Sequence, residues 1–106
     1  MAQIEFGGKS FEVDEDGFLL KGMEDWNDEW MKYVMTQEGI PVLNDEHMKV
    51  INILQDYYKK NGIAPMVRIL SKTTGFPLKK IYELFPSGPG KGACKMAGLP
   101  KPTGCV

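Results

Sequence analysis

Two thiols crowd the end of this 106-residue chain: Cys94 and, eleven positions later, Cys105, the second-to-last residue. A thiol that close to a terminus is not core by default, because chain ends fray unless something ties them down. Gly98 and Gly104 supply hinges between and beside the cysteines, while Pro100 and Pro102 keep the intervening stretch extended. Fully extended, the span from Cys94 to Cys105 reaches roughly 36–40 Å. Folded back, it must bring the two Cα atoms to about 5.5 Å for a sulfur–sulfur bridge. The arm can therefore carry Cys105 to a partner or return it to Cys94, and a short tether gives an effective concentration on the order of mM for the return. Redox chemistry on a swinging segment, a structural disulfide and two unrelated cysteines all fit this spacing.

Charge bears on thiol reactivity. The net charge of −1 conceals a gradient: residues 1–29 carry −7, residues 30–65 are balanced, and residues 66–106 carry +6. Lys91, Lys95 and Lys101 beside the cysteines favour thiolate over thiol, while the Val106 carboxylate opposes this at Cys105. A positive C-terminal half also attracts anionic partners.

Other cysteine chemistries fit poorly. Zinc needs four ligands, and the chain offers two cysteines and one histidine, His47. C-x-x-C redox and C-x-x-C-H haem-attachment motifs are both missing. No metal site is expected. His47 reads as a surface or half-buried residue in the first turn of a helix. The Trp26/Trp30 pair reads as a core face, and the seven methionines as core filler.

The elements that must position the cysteines are mostly helical. Ile4, Phe6, Phe11 and Val13 alternate with polar residues around Gly7-Gly8, which predicts a hairpin. Asp14–Gly17 makes a second turn before Phe18-Leu19-Leu20, read as more strand. Asn27 is a candidate N-cap, with Trp26, Trp30, Tyr33 and Val34 on one face up to Gly39-Ile40-Pro41. Asn44 caps the next helix, whose apolar face runs through Val50, Ile51, Ile53, Leu54, Tyr57 and Tyr58 to Asn61-Gly62. Pro65 opens a third helix through Leu70, and Pro77 a fourth that Pro86 stops. Residues 87–90 read as a loop, 91–97 as a short helix, and 98–106 as an irregular tail.

Residues 65–85 form two short helices around a glycine turn and pass for a helix-turn-helix bearing Arg68, Lys72, Lys79 and Lys80. A redox-modulated DNA-binding regulator is thus an alternative. The second helix lacks the Asn, Gln or Arg that read base edges, which argues against nucleic acid as a partner. The length fits one domain with a modest core, and the composition is that of a globular protein. Apolar runs of only a few residues preclude a membrane helix, and no basic-then-apolar leader is visible. The expected location is the cytoplasm, where cysteine pairs are more often redox-active than structural.

The segment Gly92-Ala-Cys94-Lys-Met-Ala-Gly-Leu-Pro-Lys-Pro-Thr-Gly-Cys105-Val106 closely resembles the C-terminal arm of the DsrC family, which comprises the gamma subunit of dissimilatory sulfite reductase and its relative TusE. The resemblance extends over the whole chain: the glycine-turn hairpin, the Trp26–Trp30 segment and the Pro-Leu-Lys-Lys-Ile-Tyr-Glu-Leu-Phe-Pro stretch. TusE-like members, which relay sulfur for tRNA thiolation, keep only the penultimate cysteine, so Cys94 points to the sulfite-reductase branch. The resemblance implies a mainly α fold with minor β content: a small orthogonal helical bundle with a helix-turn-helix-like pair, an N-terminal hairpin (1–20), a helical core (21–97) and a mobile C-terminal arm (98–106), all in one domain. It implies a sulfur carrier rather than an enzyme in its own right. Cys105 enters a channel of the reductase alpha and beta subunits, and sulfur leaves on the arm as a trisulfide between Cys105 and Cys94. A membrane-bound, DsrMKJOP-like electron-transfer complex then releases sulfide; sulfurtransferases are further partners. Sirohaem and iron–sulfur clusters belong to the partner enzyme, and this chain binds no cofactor.

Overall fold

The computed structural model describes residues 2–100. Lys101, Pro102, Gly104 and Cys105, named above for the arm, lie outside the described residues. Strands β1 (Ala2–Phe6) and β2 (Lys9–Val13) pair antiparallel from Phe6↔Lys9 to Ala2↔Val13. The turn between them is Gly7-Gly8, with φ of 59° and 81°; a two-residue hairpin of this hand needs positive φ at both positions, which glycine adopts without a Cβ clash. Phe11 and Val13 point inward while Ser10 and Glu12 face out, the two-residue period of a half-buried strand. No third strand follows: Leu19 makes a single bridge to Val13, because an Asp14 side chain accepting from the Asp16 and Phe18 amides turns the chain back tightly.

A short 3₁₀ turn, Gly22–Glu24, leads into α1 (Asp28–Glu38), α2 (Asp45–Asn61), α3 (Val67–Thr74) and α4 (Leu78–Leu84). Asn27 caps α1 by accepting from the Trp30 amide at 2.9 Å. Gly39 and Ile40 close α1 by donating their amides back to Thr36 and Met35. Asn44 caps α2 through its side chain, in a reciprocal box with His47. The third helix begins two residues beyond Pro65 and continues past Leu70 to Thr74, whose hydroxyl donates to the Leu70 carbonyl.

A hairpin of two strands is marginal in water, and this one is held by α1. Phe11 meets Trp30 at 5.2 Å between ring centroids, and Phe6 meets Tyr33 edge-on at 5.8 Å. The core then runs through Val34, Val50, Ile51, Leu54, Leu70, Ile81 and Phe85 to the last described turns, where Ala93, Cys94, Met96, Ala97 and Leu99 are buried with them. Methionine is not uniformly core filler: Met31 and Met96 are buried, but Met66 is 49% exposed.

His47 is buried rather than superficial. Nδ1 accepts from the Asn44 amide at 3.2 Å and Nε2 pairs with the Leu84 carbonyl at 3.0 Å, so the neutral tautomer with its proton on Nε2 ties α2 to α4. Its ring meets Phe85 at 5.3 Å, nearly perpendicular. Burial holds its pKa below the ordinary 6.5, against the opposing pull of the Leu84 carbonyl and Glu46, with Lys80 adding to the depression. The unfolded chain therefore takes up this proton before the folded one does. The His47 contribution to stability is complete above about pH 6.5 and is lost as pH falls towards the folded value. Urea midpoints should drop between about pH 7.5 and pH 5, and His47→Gln should flatten that slope.

Candidate functional site at the base of the C-terminal segment

Cys94 sits at the end of a π-helical segment, Pro89–Cys94, followed by one further turn to Ala97. Residues 88–90 thus belong to the helical turn rather than to a loop. Wide turns of this kind are stabilised by their surroundings and recur at functional positions. Here the surroundings are close: a Cβ at Gly92 would lie 3.0 Å from the Phe85 Cβ and 2.8 Å from a Glu38 carboxylate oxygen. Glu38 also accepts from the Ser87 amide at 2.9 Å and the Ser87 hydroxyl at 2.6 Å, pinning the entry to the segment onto the end of α1.

The exit is fixed more firmly. Gly98 adopts φ +79°, its amide donates to the Lys95 carbonyl at 3.1 Å, and the Leu99 amide donates to the Cys94 carbonyl at 3.0 Å. This is a Schellman closure, with buried Leu99 and Cys94 supplying its apolar contact. Gly98 is thus a helix-ending residue, and a Cβ on it would strike the Trp26 side chain at 2.9 Å. The expected hinge at Gly98 is part of the packed body, as is Leu99, and exposure resumes at Pro100.

Three successive carbonyls of this last turn receive side-chain donors from elsewhere in the chain. The Trp30 indole N–H donates to Lys95 O at 2.7 Å, the Trp26 indole N–H to Met96 O at 2.9 Å, and the Gln55 amide to Ala97 O at 2.9 Å. The two tryptophans therefore form more than a core face. Carbonyls at a helix C-terminus lack their usual amide partners four residues on. Donors from α2 and from around the start of α1 serve them here, Lys95 O accepting from Trp30 in addition to the Gly98 amide.

Cys94 is 1% exposed. Burial pushes its pKa from 9.0 up to about 12. Lys91 and Lys95 do not offset this. Lys91 is exposed, and the Lys95 ammonium lies 5.1 Å from the centre of the Phe18 ring, towards the hairpin. At pH 7 a thiol with a pKa near 12 is thiolate on the order of one part in 10⁵, so Cys94 in this packed state is a protected thiol rather than a nucleophile.

Among the basic residues of the helix-turn-helix reading, Arg68, Lys72 and Lys79 are exposed. Lys80 is tied to Glu46 at 2.9 Å and packs beside α2. Among the described residues no group of three or more His, Cys, Asp or Glu side chains could hold a metal ion, and no helix is long and apolar enough to cross a membrane.

A hairpin laid on a short helical bundle thus carries a buried cysteine in its last described turns. The chain belongs to the DsrC family: residues 5–106 match the family described as DsrC like protein. It is similar to the gamma subunit of dissimilatory-type sulfite reductase from Nitratidesulfovibrio vulgaris strain Hildenborough, with 72% identity over 106 residues covering 100% of both chains. Its fold matches that in the crystal structure of dissimilatory sulfite reductase I (DsrI) with a TM-score of 0.92 and 70% identity, over 99% of this chain and 100% of that one. The sulfurtransferase TusE of Escherichia coli K12 is more distant, at 37% identity over 108 positions, covering 95% of this chain and 97% of that protein.

Proposed function

We propose that this chain is a sulfur-carrier co-substrate of dissimilatory sulfite reductase, docking with the alpha and beta subunits and presenting Cys105 to their active site. The reading rests on one observation above others: full-length 72% identity to a reductase gamma subunit in a chain that has a second cysteine, Cys94, at the base of the same segment. Sulfur transfer through thiols needs an accessible nucleophile and a second thiol that resolves the product. Cys105 takes the first role and Cys94 the second. Two electrons supplied by the reductase reduce sulfite, and its three oxygens leave as water with the two thiol protons and four more. Its sulfur ends bonded to both cysteine sulfurs as a trisulfide. Reducing both sulfur–sulfur bonds, with electrons from a membrane-bound transfer complex, releases sulfide and regenerates both thiols.

The packed turn sharpens this division of labour. Because the body extends to Leu99, Cys105 has six residues of reach, at most roughly 20 Å, rather than the full span from Cys94. Gly104, Pro100 and Pro102 govern how that reach is used. Lys91 and Lys101 act by steering the segment toward an acidic channel mouth, and Lys95 by anchoring it on Phe18. The sirohaem and iron–sulfur chemistry resides in the partner enzyme, and the cytoplasm supplies the reducing surroundings the thiols require.

Similarity to TusE supports a second reading, a sulfur relay to other sulfurtransferases that uses Cys105 alone. The two separate on Cys94. Intact mass of protein taken from cells should show a gain of one sulfur atom on the Cys94–Val106 peptide. Under the reductase reading that sulfur is bridged, leaving neither cysteine open to alkylation; under the relay reading Cys94 stays alkylatable once the protein is denatured. Peptide free of added sulfur during active sulfite reduction overturns both.

A further inference from the structure

We propose that Trp26, Trp30 and Gln55 are positioning residues of the carrier, forming a latch on carbonyls 95–97 whose local opening exposes Cys94 for its encounter with Cys105. The purpose given to the latch rests on the carrier reading; its existence does not.

Three features point the same way. The donors come from around the start of α1 and from α2, lie 65, 70 and 42 residues from their acceptors, and converge on one turn directly after Cys94. The turn begins in a π-helical stretch, a wide i→i+5 winding that is rare and occurs mostly as single turns at functional positions. Cys94 is 1% exposed, so a reagent from solvent reaches its sulfur only when its cover moves. Local opening breaks these three side-chain hydrogen bonds and lifts Met96, Ala97 and Leu99 away from the rest of the core. Opening confined to a few contiguous residues is how a protein exposes one buried group without global unfolding. The latch sets the order of events: Cys105 reacts while Cys94 is covered, and Cys94 joins afterwards.

The test uses the whole chain carrying Cys105→Ser, which leaves Cys94 as its one thiol. Iodoacetamide in excess reports access, the Cys94 sulfur displacing iodide to give a stable thioether. Trp26→Phe removes an indole N–H and keeps a ring; Gln55→Leu removes an amide donor at similar size. Each should speed alkylation about two- to tenfold, the opening equivalent of one lost hydrogen bond, and together they should multiply. Ile81→Val, in buried α4, is the reference for a change that lowers global stability alone. Unchanged rates in the latch variants overturn the proposal, as does an equal acceleration by Ile81→Val at matched global stability. Sulfur loading of the unsubstituted chain is scored separately: faster alkylation in the latch variants with no sulfur on the unsubstituted chain sinks the carrier reading and keeps the latch, while normal loading with unchanged alkylation does the reverse.

Discussion

Cys105→Ala, under the proposed carrier role, should reduce sulfur loading to background when the protein is mixed with dissimilatory sulfite reductase, sulfite and an electron donor. The expected loss is complete because no other group can substitute. Cys94 is covered and protonated, with its pKa near 12, and the chain has no third thiol. Cys94→Ala has a different expected outcome. That variant still acquires one sulfur atom on Cys105, but as an open persulfide that alkylating reagents trap, with no intramolecular bridge. Mass spectrometry of the two variants, with and without alkylation, separates the roles. Full turnover by the Cys105 variant removes the carrier reading.

Trp30→Ala has the largest expected effect on stability. The indole is fully buried, stacks obliquely on Phe11 and on Tyr33 at 5.2 and 5.4 Å, and donates to Lys95 O at 2.7 Å. Truncating a buried Trp typically costs about 3–5 kcal/mol. Against a total of about 5–15 kcal/mol for a domain, that leaves the hairpin, α1 and the Cys94 turn without their common centre. Urea unfolding followed by far-ultraviolet circular dichroism should show the loss. Trp30→Phe, which keeps an aromatic ring but no donor, should fall between. A cost below about 1 kcal/mol for Trp30→Ala, the level of an ordinary surface change, contradicts the assignment of this residue as the centre.

Much of this architecture is legible in local sequence because local chemistry determines it. Gly7-Gly8 between alternating apolar residues gives the hairpin, and Asn27 and Asn44 mark the two helix starts where their side chains accept the first free amides. What local pattern cannot carry is pairing across the chain. His47 looks like an ordinary first-turn residue until α4 brings the Leu84 carbonyl to it. The indole donors look like apolar bulk until the final turn arrives beneath them, because a 3.6-residue period records which face is buried and not which atom the indole N–H will meet. Gly98 misleads for a related reason. A glycine before two prolines reads as a hinge, yet the same positive φ that permits a hinge also ends a helix, and buried Leu99 decides between them.

The bonds that close the molecule run from its beginning to nearly its end, since residues 26 and 30 wait for 95 and 96. During synthesis, the emerging chain holds two tryptophans with unfilled donors and a core missing Ala93, Met96, Ala97 and Leu99 until the final stretch leaves the ribosome. Contacts of such separation form late and make folding wait on them. A nascent chain therefore closes its body only once residues 93–99 have emerged, and a product truncated before them lacks both the donors' acceptors and the last quarter of the core.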